Sequence, residues 1–167
     1  MTGDFDAIFA ALAAADVRYL VVGGVAVVLH GHTRFTSDLD LVVSLEEANT
    51  RRALTALNEL GYRPRAPVDA LAFADEPTRR SWIEEKHMTV FSLWSPSRPA
   101  TSVDLFVKEP FDFDEALGRA LHVDLDGVTV TAASIQDLVA LKRVAGRAKD
   151  IEDIAELLAI EELRDAH

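Results

Sequence analysis

Apolar residues recur along this chain in two periods, and the switches between them mark out its elements. Phe5, Ile8, Phe9 and Leu12 follow helical spacing and predict a helix over Asp4–Ala15. The run Val17 to Val22 predicts a buried strand. After Gly23-Gly24 a second apolar run, Val25 to His30, predicts a short helix stopped at Gly31. A polar loop, His32 to Ser37, leads to a strand over Asp38–Ser44. Ser44-Leu45-Glu46-Glu47 reads as a capping box opening a helix over Leu45–Leu60, which ends at Gly61 and buries Ala53, Leu54, Leu57 and Leu60.

The stretch from Tyr62 to Lys86 carries the weakest pattern. Pro64 and Pro67 break it, with short helices expected over Asp69–Ala74 and from about Pro77. Its role is either a covering flap with a core Trp82 or part of an acceptor wall. Strands follow over His87–Trp94 and Thr101–Val107, then a helix over Phe111–Leu121 and a hairpin over Val123–Val130 turning at Asp126-Gly127. Asp124 to Gly127 looks superficially like a calcium loop, but the remaining ligand positions are missing. Ser134 opens a helix over Ile135–Ala145, and a last helix over Ile151–Leu163 is expected to bury Ile151, Ile154 and Leu158. The acids from Asp150 onward then read as a solvated face or a surface for a basic partner.

Candidate chemistry sits where these elements meet. Asp38 and Asp40 are two apart on a strand, so they share a face while Leu39, Leu41 and Val43 point to the core. Paired like charges repel and are costly to bury, and a divalent cation removes that cost. The glycine turn lets the backbone approach a ligand closely at a helix start, which favours phosphate. Asp104 stands alone among apolar residues of a later strand, with Val103, Leu105 and Val107 on the opposite face. Lys142 falls inside the apolar stripe of its helix, so it either snorkels past the core edge or points into a polar cavity. Arg34 is either a solvated loop residue or a charge beside a ligand. His30, next to Gly31, reads as a cap or packing residue.

Gly23-Gly24, Arg34, Thr36 and Asp38-Leu39-Asp40-Leu41 together resemble the signature of the polymerase-beta-like nucleotidyltransferase superfamily. The match is to its small branch of AbiEii-type toxins and lincosamide nucleotidyltransferases. Leu141-Lys142 and Gly146 to Asp150 resemble that branch's C-terminal motif. The resemblance implies an α+β (mixed α/β) fold, a central mixed sheet flanked by helices with further helices at the C-terminus. It implies transfer of a nucleoside monophosphate from an NTP such as ATP to a hydroxyl of RNA, protein or a small molecule. Asp38, Asp40 and Asp104 become the catalytic and metal-binding set for two Mg²⁺ ions, with Mn²⁺ as a substitute. Gly23, Gly24, Arg34, Ser37 and Lys142 become the nucleotide-binding set, and Arg147 and Lys149 are candidates for phosphate contact. Serine is common in the superfamily where Gly24 stands, so only the backbone is left to serve there. Two roles follow: an active enzyme, such as the toxin of a toxin–antitoxin pair, or the same fold kept as a binding or regulatory module.

Length and charge narrow the partners. At 167 residues one domain is expected, with a core over 17–131 and a helical part over 134–163. So short a chain makes a partner subunit or a second copy a candidate to complete the site. A net charge of −11 argues against an extended nucleic-acid surface. The absence of cysteine excludes disulfides and sulfur-held zinc. No apolar run is long enough to span a bilayer, and Met1 to Asp6 lacks a basic signal start, so a cytoplasmic protein is expected.

Overall fold

The computed structural model describes residues 3–167; Met1 and Thr2 of the stretch read for a targeting signal lie outside the described residues. Helix α1 (Gly3–Ala14) buries Phe5, Ile8, Phe9 and Leu12, as its spacing requires. Strand β1 (Tyr19–Val22) runs directly into α2 (Gly23–Leu29), and β2 (Asp38–Val43) returns antiparallel to β1. Then come α3 (Glu47–Glu59), the two-residue β3 (Arg63–Pro64), a 3₁₀ turn (Ala70–Ala74) and α4 (Glu76–Lys86). Strands β4 (Val90–Trp94) and β5 (Ser102–Phe106), α5 (Phe113–Gly118), the hairpin β6 (Leu121–Leu125) and β7 (Val128–Ala132), and helices α6 (Ile135–Ala145) and α7 (Ala148–Asp165) complete the chain.

These strands form one seven-stranded mixed sheet in the order β3-β4-β5-β2-β1-β7-β6. Two pairings decide where chemistry can occur. β2 lies parallel to β5, with Asp40 directly opposite Asp104 and Asp38 opposite Ser102. β1 lies between β7, to which it is parallel, and β2, to which it is antiparallel, and all four of its residues are buried. β1 is thus a continuous buried run, as a strand covered on both faces is, while the start of β2 and all of β5 alternate. The least patterned stretch is held by aromatic stacking: Phe91 lies between Phe73 and Trp82, at 5.1 Å and 5.2 Å between ring centroids. Arg79 is buried there and donates to the Phe73 carbonyl at 2.7 Å. Among the described residues no helix is long and apolar enough to cross a membrane.

Two expectations are corrected. No capping box opens α3: its N-cap is Glu46, and no side chain caps it. The Ser44 carbonyl instead accepts from Asn49 Nδ2 at 2.8 Å and from Thr50 Oγ1 at 3.3 Å, two buried polar groups that hold the end of β2. The last helix starts earlier and faces differently. Ile151 is 66% exposed and Leu158 is also exposed, while Asp150, Asp153 and Leu157 are buried and Ile154 is half-buried. Cations on neighbouring elements turn the acidic face inward, as described below. Leu157→Ala is therefore expected to cost about 2–5 kcal/mol in urea unfolding. Leu158→Ala should cost less than about 1 kcal/mol. The opposite order would mean that α7 presents its other face.

Candidate active site

The carboxylates stand together because of strand register. Side chains of residues paired across parallel strands share a face, about 5 Å apart. Asp104 on β5 therefore lies beside Asp40 on β2, and Asp38 shares that face two residues earlier. Leu39, Leu41, Val103 and Leu105 fill the core on the other face. Among the described residues none of the three makes an ion pair. Asp38 accepts a hydrogen bond from Ser102 Oγ at 2.6 Å. Burial raises the Asp40 carboxyl, the charges of Asp104 and Asp38 raise it further, and it reaches about 7. More distant Lys142 and Arg147 pull the other way without compensating.

Gly23 makes room for this group. Its φ is +67°, and a Cβ there would lie 2.9 Å from the Asp40 carboxyl carbon and closer still to Oδ2. Glycine is needed both for the backbone conformation and for the carboxylate's space. Gly24 is constrained by a different neighbour. A Cβ there would lie 2.8 Å from Thr36 Oγ1 and 3.5 Å from the Arg34 guanidinium carbon. The threonine hydroxyl thus fills the place where a serine side chain at this position would start. No side chain caps the start of α2, which leaves its first backbone N–H groups uncapped.

Facing the carboxylates is a wall of cations. Lys142 is 6% exposed and donates from Nζ to Asp153 Oδ2 at 3.0 Å, with Asp150 Oδ1 3.7 Å away. Arg34 Nη1 donates to the same Asp153 oxygen. Arg147 holds Asp150 through Nε at 2.7 Å and Nη2 at 3.2 Å. Burial works to raise the Asp150 carboxyl, but these bonds outweigh it and hold the group below the ordinary carboxylate range. Lys142 fits its apolar stripe because two buried acids from α7 receive it.

Carboxylates, glycines and cations line one cleft of about 820 Å³, within the range of small-molecule sites. Gly23, Gly24, Arg34, Ser37, Asp38, Asp40, Asp104 and Lys142 all border it. His30 does not: it is buried, and its Nε2 lies 2.8 Å from the Ala133 carbonyl oxygen, in a packing role. Sequence reasoning placed Asp150 in the C-terminal motif but read it and Asp153 as solvated, although their i, i+3 spacing on a helix next to Lys142 was a usable signal. It also missed Ser102, two residues before Asp104 on the same face, and Phe35, 87% exposed at the cleft. The cleft is polarised. Arg34 stands by the Gly24 turn after β1 and shares Asp153 with Lys142, whereas the lining residues on and around β4 and β5, Thr89, Val90, Phe106 and Pro110, are uncharged.

The donor set fits a hard divalent cation. Three oxygen-bearing groups crowd together with no protein cation bonded to them, and one is pushed up to about 7 by burial and their mutual repulsion. Among the described residues no group of three or more acidic or histidine side chains stands close enough to hold a metal ion as placed, so Asp38, Asp40 and Asp104 share a face without forming a closed site.

Residues 6–164 match a family described as nucleotidyltransferase of unknown function (DUF6036). No curated protein matches the sequence. Several solved structures share the fold. The lincosamide adenylyltransferase LnuA in its lincomycin-bound form superposes with a TM-score of 0.64 at 15% identity, over 96% of this chain and 98% of that one. ANT(2'')-Ia in complex with adenylyl-2''-tobramycin superposes with a TM-score of 0.59 at 18% identity, over 97% and 93%. A putative nucleotidyltransferase from Thermotoga maritima gives 0.57 at 14% identity, over 93% and 90%. At these identities the likeness speaks for the fold alone.

Proposed function

The chain belongs to the DUF6036 family of nucleotidyltransferases, and from that premise we propose that its cleft transfers a nucleoside monophosphate from an NTP to a hydroxyl of a small-molecule acceptor. The observation that carries this reading is the juxtaposition of Asp38, Asp40 and Asp104 with the Gly23-Gly24 turn in one cleft.

Each group has a part. Asp38, Asp40 and Asp104 would hold Mg²⁺ or Mn²⁺. Divalent cations there would offset charge on the phosphates and acidify the acceptor hydroxyl. Backbone at Gly23 and Gly24, with the hydroxyls of Thr36 and Ser37, meets the phosphates, and Arg34 and Lys142 balance their charge. The acceptor oxygen bonds to the α-phosphorus, the bond from that phosphorus to the bridging oxygen breaks, and pyrophosphate leaves. Asp104, on the acceptor side, receives the hydroxyl proton.

The polarity of the cleft supports a small acceptor. An RNA end carries phosphates that seek cations, and the lining residues on and around β4 and β5 offer none. The uncharged side beyond Asp104 offers Val90, Phe106 and Pro110 for an apolar body and Thr89 for a hydrogen bond. LnuA and ANT(2'')-Ia, which share the fold, were solved with lincomycin and adenylyl-2''-tobramycin. A net charge of −11 points the same way. The chain as a whole serves as one domain in this reading, and no cleft residue favours the toxin or antitoxin role over a small-molecule enzyme.

The test is direct. An NTP with Mg²⁺ should raise the melting temperature, and the rise should vanish in Asp38→Ala. With α-labelled NTP and a cell extract, label should enter small solutes. Label in RNA or protein would overturn the acceptor class, and stabilisation that survives Asp38→Ala would overturn the metal set.

A further inference from the structure

On the reading that the cleft binds a nucleoside triphosphate, we infer that Asp153 is a positioning residue whose carboxylate holds Arg34 and Lys142 side by side as a preformed grip for the triphosphate. The two cations come from distant parts of the chain, the loop before β2 and helix α6. One atom, Asp153 Oδ2, accepts from both Arg34 Nη1 and Lys142 Nζ. Cations brought to a single point repel one another. The acid between them is what lets them stand together.

Neither cation is used up by this bond. Guanidinium and ammonium groups each carry several N–H donors, yet the side-chain hydrogen bonds of Arg34 and Lys142 among the described residues go to Asp153 alone. Both residues border the cleft. The Arg34 guanidinium carbon lies 3.5 Å from the position of a Cβ on Gly24, over the glycine turn itself. Arg147 is matched to Asp150, so the ion pairs of Arg34, Lys142 and Arg147 are made with Asp150 and Asp153 alone. One positive charge is left over beside the turn, in a chain whose net charge is −11. The side chain of Asp153 is only 4% exposed, so it acts on the nucleotide through its two partners.

This arrangement makes α7 part of the nucleotide site. Removing the charge of Asp153 frees the two cations to separate, and Arg34 loses its anchor. The β- and γ-phosphates lose their partners, while a nucleoside monophosphate, which lacks them, loses little.

Asp153→Asn keeps the shape and removes the charge. Titration of wild type and variant with an NTP and with the matching NMP, in Mg²⁺, reads the effect. Wild type should prefer the NTP, and the variant should lose about tenfold or more of that preference. In turnover, KM for the NTP should rise with KM for the acceptor unchanged. Leu157→Ala, a core change on the same helix, should lower the melting temperature and leave the NTP-to-NMP preference intact. Should Asp153→Asn not fold, Asp153→Glu retains the charge but displaces it by a methylene, and a loss of about threefold or more is expected. An unchanged preference in the folded variant overturns the inference while the nucleotidyltransferase reading stands. A wild type that binds no NTP overturns both.

Discussion

Asp40→Asn is expected to abolish nucleotidyl transfer while making the metal-free protein more stable above neutral pH. The two effects share one cause. Burial and the carboxylates of Asp104 and Asp38 push Asp40 up to about 7 from its ordinary 3.8. The folded state therefore holds a proton that the unfolded chain has released. Between about pH 4 and 7 the folded state binds more protons, so stability falls as pH rises through that window, and the loss is complete above it. At one pKa unit per about 1.4 kcal/mol, the shift corresponds to at most about 4 kcal/mol. The three carboxylates titrate as a group, so the fall is gradual rather than a single step. Urea unfolding in EDTA should show wild type losing stability between pH 5 and pH 8 and Asp40→Asn losing much less. Mg²⁺ should restore the wild type at pH 8. Activity should drop by about a thousandfold or more, the scale of a lost partner for transition-state charge. An active Asp40→Asn enzyme would remove the carboxylate set from the mechanism.

Gly23→Ala is expected to be almost as damaging, though no functional atom is deleted. An alanine at φ +67° costs about 1–2 kcal/mol in backbone strain. Its methyl group would also occupy space now held by the Asp40 carboxylate. The carboxylate or the turn must move, and a displacement of about 1 Å near the reacting atoms costs about 100-fold in rate. Gly31→Ala is the control, because Gly31 has φ +117° but nothing within 4 Å of an added Cβ. It should lose stability and keep its rate. Equal activity in Gly23→Ala and wild type would show that Asp40 can leave its present place at no cost.

Much of this site is legible in the order of residues alone, and the reason is local. Gly23-Gly24 and Asp38-x-Asp40 are short-range patterns whose geometry follows from a turn and an alternating strand. Asp104 is legible as an isolated acid in an apolar strand, but its place beside Asp40 is not, since register between distant strands leaves no periodic trace. The capping box fails at Ser44 because its N–H is already spent on the Arg18 carbonyl, and the helix starts two residues later with Glu46 as its N-cap. Helix α7 is misread because hydrophobic spacing assigns the buried face to apolar residues. Here Ile151 and Leu158 are exposed and Asp150 and Asp153 are buried.

The sequence by itself determined the glycine turn, the alternation that sets Asp38 and Asp40 on one face, and most of the helices and strands. Each depends on neighbours a few positions away, where backbone geometry dictates which side chains meet. Tertiary structure decided which acids are solvated and which are buried. An acid is buried only where cations from other elements receive it, and Lys142, Arg34 and Arg147 are brought to Asp150 and Asp153 by the packing of α6, α7 and the loop before β2. Tertiary structure also brought cations from the loop before β2 and from α6 and α7 into one cleft with the uncharged residues of β4 and β5, a grouping that order along the chain does not show.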